Sequence, residues 1–389
     1  MIDINRTTKV LAIIHYGRSG SLLVQSLFDS HPAVLMTPGT LLSYFFDFWE
    51  LNKNRPLEEL IETFVERYSG FFGNYDDPVL EREGLTRLGE ERAEHIAADP
   101  KIFSSAMVDL LAYRVGVSRH DFFCAIHIAY VEATGRRVDE PSPWIVYHVH
   151  SPNPERIARL LEDFPEVLLL QTVRNPAIAT ASSFRFMTSL DRWSVGLGAE
   201  VLYYGLSGGT IFNAKLEGRW KALRLEDLQK FPRQYLEAVC EWMGLAWSDT
   251  LLESSFDGRA WWSGVSSPLV RGFNNVTTTQ NYSEFLSNFD EFRLRVVLDH
   301  LYRTWEYSER SRQRLLLRFA ILPFLLLPTR MEWVSYRKTA SFSLRHVWRL
   351  RRAYIRGRKA FFLAWRLAGQ NRENVVPLLR PLTESSDKN

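Results

Sequence analysis

Three short clusters in this 389-residue chain carry side chains that could do chemistry. The first is Gly17-Arg18-Ser19-Gly20-Ser21, which follows the apolar run Val10 to Ile14 and precedes the helically spaced Leu22, Leu23, Ser26 and Leu27. A strand, a small-residue turn and a helix N-terminus leave unpaired N–H groups aimed at one spot, so this order makes an anion site. Gly17 and Gly20 let the backbone approach a ligand closely. Arg18 adds a planar cation, and Ser19 and Ser21 add hydroxyls. The stretch reads as a phosphate- or sulfate-binding loop. It is not the Gly-x-x-x-x-Gly-Lys-Ser/Thr loop, because Arg18 stands on the wrong side of Gly20.

The second cluster is His148-Val149-His150, two imidazoles at the end of an apolar run and followed at once by Ser151-Pro152. The third is Arg174-Asn175-Pro176 with Ser182 eight positions on. A guanidinium offers a bidentate fork to a phosphate, and the serine hydroxyl adds one donor. Metal chemistry is not expected, since the histidines are scattered and Cys124 and Cys240 are far apart.

The elements that must position these residues are legible as buried strands. Val10 to Ile14, Trp144 to His150 and Val167 to Val173 are apolar runs suited to strands covered on both faces of a parallel sheet. Helices are expected from Pro154 to Phe164, from Ala177 to Met187 and from Pro232 to Met243, where Gly244 ends the last. Trp220 to Leu225 reads as a further strand, Trp261 to Asn275 as loop, and Asn288 to about Trp305 as one helix. The alternation argues an α/β fold with a central parallel sheet flanked by helices. Ligands of such sheets sit at the carboxyl ends of the strands, where Arg18, His148, His150 and Arg174 all fall.

Ala33 to Glu140 reads mostly as helices with aromatic clusters, among them Tyr44-Phe45-Phe46, Phe48-Trp49 and Phe122-Phe123. It is long for a single crossover and is expected to be a helical insertion on the acceptor side, although each aromatic taken singly suits core packing as well. The composition, 46% apolar and 24% charged, is that of a folded globular protein. Two cysteines make no disulfide framework, and no signal-peptide plan is present, so a cytoplasmic setting is expected and the sequons at Asn275 and Asn281 are idle. Net charge is +3 but uneven: about sixteen Arg and Lys lie between Arg310 and Arg372 with almost no carboxylate. Ser343 to Leu367 is expected as a basic amphipathic helix with Val347, Leu350, Tyr354, Phe361 and Trp365 on one side. Such a helix lies on an anionic membrane, here the inner membrane surface reached through 308–370, or packs on its own domain with solvated arginines. Nucleic acid is not an expected partner.

The first cluster resembles the 5′-phosphosulfate loop of sulfotransferases that use 3′-phosphoadenosine 5′-phosphosulfate (PAPS). There a basic residue, Ser, Gly and Ser/Thr follow the first strand, the places of Arg18, Ser19, Gly20 and Ser21 here. Arg174 and Ser182 have the spacing of that family's 3′-phosphate pair, with Asn175-Pro176 in the turn between. His148-Val149-His150-Ser151-Pro152 resembles the Lys-x-His-x-Pro strand end of the cytosolic branch, which makes His150 the base and puts His148 in the place of a catalytic lysine. Some carbohydrate sulfotransferases use a Glu after the first helix instead; Ala33 to Thr40 holds no carboxylate, which favours His150. Val270-Arg271-Gly272 is similar to the segment closing over the 3′-phosphate. Leu223-Arg224-Leu225-Glu226-Asp227-Leu228 is similar to a Tyr-Glu-Asp-Leu strand end, with Leu225 replacing the Tyr and Leu23 an aromatic near the adenine.

The resemblance implies a P-loop-like sulfotransferase fold in 1–307, PAPS as sulfuryl donor without a metal, and catalytic roles for His150, Arg18 and His148. It implies nucleotide contacts from Arg18, Ser19, Gly20, Ser21, Arg174, Ser182, Arg271 and Gly272. Residues 33–140 would be the insertion and 308–389 a basic C-terminal extension. The aromatic insertion and basic extension point to a carbohydrate, glycolipid or other amphiphilic acceptor. The competing readings are a kinase-type phosphoryl transferase, a membrane or nucleic-acid binding module with a vestigial nucleotide site, and a purely structural role.

Overall fold

The structure, a computed structural model, describes residues 4, 9–15, 17–138, 140–150, 154–189, 216, 218–264, 269–274, 280–307, 314–338, 344–370 and 376–381. Ser151, Pro152 and the Asn275 sequon, with 275–279, lie outside that set, whereas Asn281 lies within it.

Five parallel strands form the central sheet in the order β2-β3-β1-β4-β5. They are β1 (Lys9–His15), β2 (Val34–Met36), β3 (Trp144–Val149), β4 (Leu168–Val173) and β5 (Trp220–Arg224). Val10 through Ile14 of the central β1 are fully buried, and the Val, Leu and Ile side chains among them each supply roughly 1.5–3 kcal/mol of transfer free energy against solvent exposure. Ile14 pairs with Val149, His15 with Thr172, and Val173 with Arg224, so the carboxyl ends of four strands finish at one level. That register is what gathers the clusters. The edge strand β2 was not expected: the reading of 33–140 as mostly helical overlooks it because Val34-Leu35-Met36 is only three residues long.

Helices cover the sheet: α1 (Ser21–Phe28), α2 (Phe45–Asn52), α3 (Leu57–Arg67), α4 (Pro78–Glu83), α5 (Pro100–Leu111), α6 (Arg119–Ala133), α7 (Pro154–Asp163), α8 (Pro176–Ser189), α9 (Leu225–Lys230) and α10 (Pro232–Met243). α6 begins with a capping box of Ser118 and Asp121, and α10 ends at Gly244 in the left-handed region. The aromatics of the insertion pack on one another. Phe45, Phe48, Phe122 and Phe123 are all buried, and the Phe45 ring lies 5.1 Å from that of Phe123. They are core rather than the wall of a ligand groove.

A two-stranded hairpin, β6 (Ser255–Phe256) and β7 (Arg259–Ala260), is tied to the end of α1 by the buried Asp29. Its carboxylate accepts from Arg136 (2.9 Å), Ser255 Oγ (3.0 Å) and Gly258 N (2.8 Å). Beside it Asp257 accepts a hydrogen bond from Tyr130 Oη at 3.0 Å, and burial together with the Asp29 charge pushes its carboxyl up to about 7. The folded state therefore keeps a proton that the unfolded chain releases from about pH 4 upward. Stability is present below the ordinary aspartate value and is lost as pH rises toward 7, by on the order of 2–4 kcal/mol. Asp257→Asn is expected to keep the Tyr130 bond and to flatten this dependence, read as urea midpoints at pH 5 and pH 8. An equal fall in both proteins would place the pH dependence elsewhere.

The expected single helix from Asn288 is two, α11 (Asn288–Val297) and α12 (Asp299–Thr304), parted at Leu298. The basic extension holds α13 (Arg314–Ala320), α14 (Arg330–Lys338) and α15 (Leu344–Gln370). It is not a detached tail. Buried Arg293 of α11 pairs with Asp290 and donates to the carbonyls of Phe324 (2.9 Å) and Leu327 (2.7 Å). The chain then returns to the sheet: Ala222 N donates to Pro377 O and Leu379 N to Ala222 O, both at 2.8 Å. This parallel bridge covers the outer edge of β5.

Candidate active site

The loop after β1 is built around two glycines with positive φ, Gly17 at +80° and Gly20 at +85°. A Cβ at Gly20 would also stand 2.6 Å from Leu225 Cδ1, so Leu225 packs down on the loop. Gly20 is the N-cap of α1 and has no side chain to close the first N–H groups of that helix. Ser19 Oγ is bonded to Thr172 Oγ1 of β4 at 2.8 Å, and Arg18 N donates to Ser183 Oγ of α8 at 3.2 Å. The loop is thus pinned to β4 and α8, the two elements that carry Arg174 and Ser182.

Arg174 leaves the end of β4, and Asn175 Oδ1 caps α8 by accepting from Ala177 N (3.1 Å) and Ile178 N (3.3 Å). Glu226 of α9 accepts from Asn175 N (3.0 Å) and from Tyr307 Oη (2.6 Å). The Leu-Glu-Asp-Leu island therefore positions the arginine turn. Arg174 and Ser182 are both buried, and the Arg174 guanidinium lies 5.7 Å from the Tyr282 ring centre.

Arg18 is lowered to about 10, first by burial and then by the charges of Arg174, Arg185 and Arg82, with Tyr282 acting the other way. Guanidiniums close enough to oppose one another's charge form a site that gains from a polyanion. Two of these cations were missed in the sequence. Arg185 lies on α8, one turn beyond Ser182, which its spacing could have shown. Arg82 ends α4 of the insertion, 64 positions from Arg18, and no motif marks it. Its backbone is fixed by close approach: a Cβ at Gly264 would meet Arg82 O at 2.6 Å.

Three histidines meet at the ends of β1 and β3. The ring of His15 lies 5.1 Å from that of His148 and 5.1 Å from that of His150. His15 Nδ1 bonds to Gly17 O at 2.7 Å, and His15 Nε2 to His150 Nδ1 at 3.1 Å. A carbonyl only accepts, so the proton of neutral His15 is on Nδ1 and its Nε2 accepts from His150 Nδ1. That network leaves a lone pair on His150 Nε2. His15 is lowered to about 4, chiefly by burial, and His150 to about 3 by burial, then by His15, Arg82 and Arg156. Both rings are neutral at pH 7. Ser43 clamps the strand end, donating to His148 O (3.2 Å) and accepting from His150 N (3.3 Å).

His148 is 2% exposed, neither ring nitrogen has a hydrogen-bond partner among the described residues, and burial with its two neighbours holds it well below the usual imidazole range. A neutral ring there cannot supply the charge of the lysine whose place it takes. Arg18 and Arg82 supply charge in this region instead. Arg271 is drawn elsewhere: it pairs with Glu90 at 2.6 Å and lies over Trp262, and neither contact joins it to Arg18 or Arg174. Gly272 N donates to Ser254 Oγ at 3.1 Å.

The stretch 33–40 has no carboxylate of its own, but the fold brings one. Glu83 accepts from Thr40 N (2.9 Å) and from Thr40 Oγ1, and burial raises its carboxyl above the usual range. Gln25 of α1 holds the same stretch through the carbonyls of Thr37 (3.0 Å) and Gly39 (3.1 Å). Among the described residues no group of three or more His, Cys, Asp or Glu is placed to hold a metal ion.

The model of a family described as "Sulfotransferase family" matches residues 11–249, a span that takes in Arg18, His150, Arg174 and Ser182 and stops short of Arg271. No curated protein matches the chain. Among solved structures, the sulfotransferase domain of the Synechococcus PCC 7002 olefin synthase is 18% identical with a TM-score of 0.41, covering 77% of this chain and 96% of that one. The sulfotransferase domain from the curacin biosynthetic pathway is 17% identical with a TM-score of 0.37, covering 70% and 87%. Sulfotransferase STF1 from Mycobacterium tuberculosis H37Rv is 17% identical with a TM-score of 0.34, covering 64% and 70%.

Proposed function

The chain belongs to the sulfotransferase family, and from that premise we propose that it moves a sulfuryl group from PAPS to a hydroxyl or amine of a carbohydrate, glycolipid or other small acceptor. When bound, the donor supplies an activated sulfuryl group on a phosphate leaving group. Arg18 and the N–H groups at the start of α1 hold the 5′ end, where charge collects as the group departs. Arg174 and Ser182 hold the 3′-phosphate, with Arg185 adding charge nearby. His150 Nε2 takes the proton that the acceptor gives up.

The observation that carries this reading is the hydrogen-bond line from Gly17 O through His15 to His150 Nδ1. It ties the proposed base to the loop that bears Arg18, and it fixes the tautomer in which His150 can accept. Protonation of His150 Nε2 leaves its Nδ1–H donating to His15, so the bond survives the step. His15 is then a positioning residue.

Calorimetric titration with 3′-phosphoadenosine 5′-phosphate, against Mg-ATP and AMP, tests the donor assignment. The bisphosphate is expected to bind at least tenfold more tightly than either comparator. Preference for Mg-ATP would point to phosphoryl transfer, and equal binding of all three would overturn the reading.

A further inference from the structure

α15 carries seven arginines and one lysine in 27 residues and no Asp or Glu. The apolar stripe read from its sequence is largely used inside the molecule. Phe361 is buried, Tyr354 Oη donates to Leu326 O at 2.6 Å, and Trp365 Nε1 donates to Arg318 O at 2.8 Å. Buried Arg358 on that side donates to Leu325 O at 2.7 Å and pairs with Glu332 of α14 at 2.6 Å. One face of the helix is therefore docked on the turn Leu322–Leu326 and on α14.

The opposite face presents Arg352, Arg356, Lys359 and Arg366, all exposed, at helical spacing. Trp348 (58% exposed) and Ile355 (40%) stand among them. Alongside runs an apolar ridge from α13 and the following turn, with Leu316 79%, Phe319 59% and Leu326 51% exposed. The Phe319 ring lies 5.9 Å from that of Trp365 and Leu326 O holds Tyr354, so this ridge joins α15 on its docked side, and the apolar side chains on the cationic face itself are Trp348, Ile355 and Leu363 (37% exposed).

We propose that this cationic face, with Trp348, Ile355 and Leu363 among its charges, docks the protein on an anionic phospholipid bilayer. Cations with no interspersed carboxylate call for an anionic partner such as the surface of an anionic leaflet. The exposed Trp348, Ile355 and Leu363 side chains call for an apolar layer directly beneath that charge, which the headgroup boundary of a bilayer offers. A nucleic acid would satisfy the arginines and leave those apolar side chains in water. A second copy docked about a two-fold axis would set like-charged rows against each other. Among the described residues no helix is long and apolar enough to cross a membrane, so the contact is peripheral.

The test is flotation of the full chain with vesicles of phosphatidylcholine containing phosphatidylserine and with phosphatidylcholine alone. Binding is expected to be more than tenfold stronger to the anionic vesicles and to fall severalfold between 0.1 and 0.5 M salt. Arg352→Glu with Lys359→Glu should lower it at least tenfold, and Trp348→Ser with Ile355→Ser should lower it without changing the salt dependence. Retained binding of 3′-phosphoadenosine 5′-phosphate, or of another probe nucleotide, checks folding; if the charge reversals unfold the chain, Arg356→Gln provides the smaller perturbation. Equal binding to both vesicles, absence of binding, or a concentration-dependent dimer that these substitutions dissociate would overturn the proposal.

Discussion

His150→Ala is expected to lower turnover by about 10²–10⁴-fold, the usual contribution of a positioned base, while affinity for 3′-phosphoadenosine 5′-phosphate changes by less than about threefold. The split follows from geometry. The proposed base lies at the end of β3, whereas the cations proposed to bind the nucleotide come from the loop after β1 and from the turn after β4. Burial and neighbouring charges hold His150 at about 3, so its acceptor form is present at any pH above that value. The proton-accepting limb of the rate profile should therefore fall near pH 3–4, and the rate should be flat in this limb through pH 6.5, where an ordinary imidazole titrates. His15→Ala should lower kcat with little change in nucleotide KM and should move that limb upward, because it removes one of the groups that lowers His150 and frees the tautomer. Steady-state kinetics from about pH 2.5 to 8 read both effects. If the His150 variant keeps wild-type turnover, Glu83 is the carboxylate to replace next, since it reaches the stretch after α1. Loss of nucleotide binding with turnover would make His150 structural.

Arg174→Ala should weaken binding of 3′-phosphoadenosine 5′-phosphate by about 30- to 1000-fold, the result of removing one partner from a buried charge pair. Binding of adenosine 5′-phosphosulfate, which lacks the 3′-phosphate, should change little. Arg174→Lys should recover only part of the affinity, because an ammonium is a point charge where the guanidinium offers two parallel donors. Calorimetry of both ligands against the three proteins decides the matter. Equal losses for the two ligands would mean that the β4–α8 turn has been disturbed, for Arg174 sits in a turn held by Asn175, Glu226 and Tyr307.

The sequence by itself determined whatever depends on neighbours within a few positions. Apolar runs marked β1, β3 and β4 because strands covered on both faces are predominantly apolar. Gly17 and Gly20 marked the loop because only glycine takes their positive φ cheaply, and Gly244 marked the end of α10 for the same reason. Arg18, His150 and Arg174 could be placed at strand ends because each follows its run directly. Tertiary structure decided what depends on packing between distant segments. The three-residue β2 gains its identity from pairing with β3, not from its own pattern. Leu298 parts α11 from α12 although the apolar spacing runs on. His15 became the partner of His150, across 135 positions, only through the β1–β3 register. Arg82 and Glu83 reach the site from the insertion, and Arg271 is taken by Glu90, since a charge goes to the partner the fold brings near. The same rule turned Phe361, Trp365 and even Arg358 of α15 inward and left Arg352, Arg356 and Arg366 facing out. Local periodicity states that a helix has two faces, but only the surface it packs against decides which face meets the solvent.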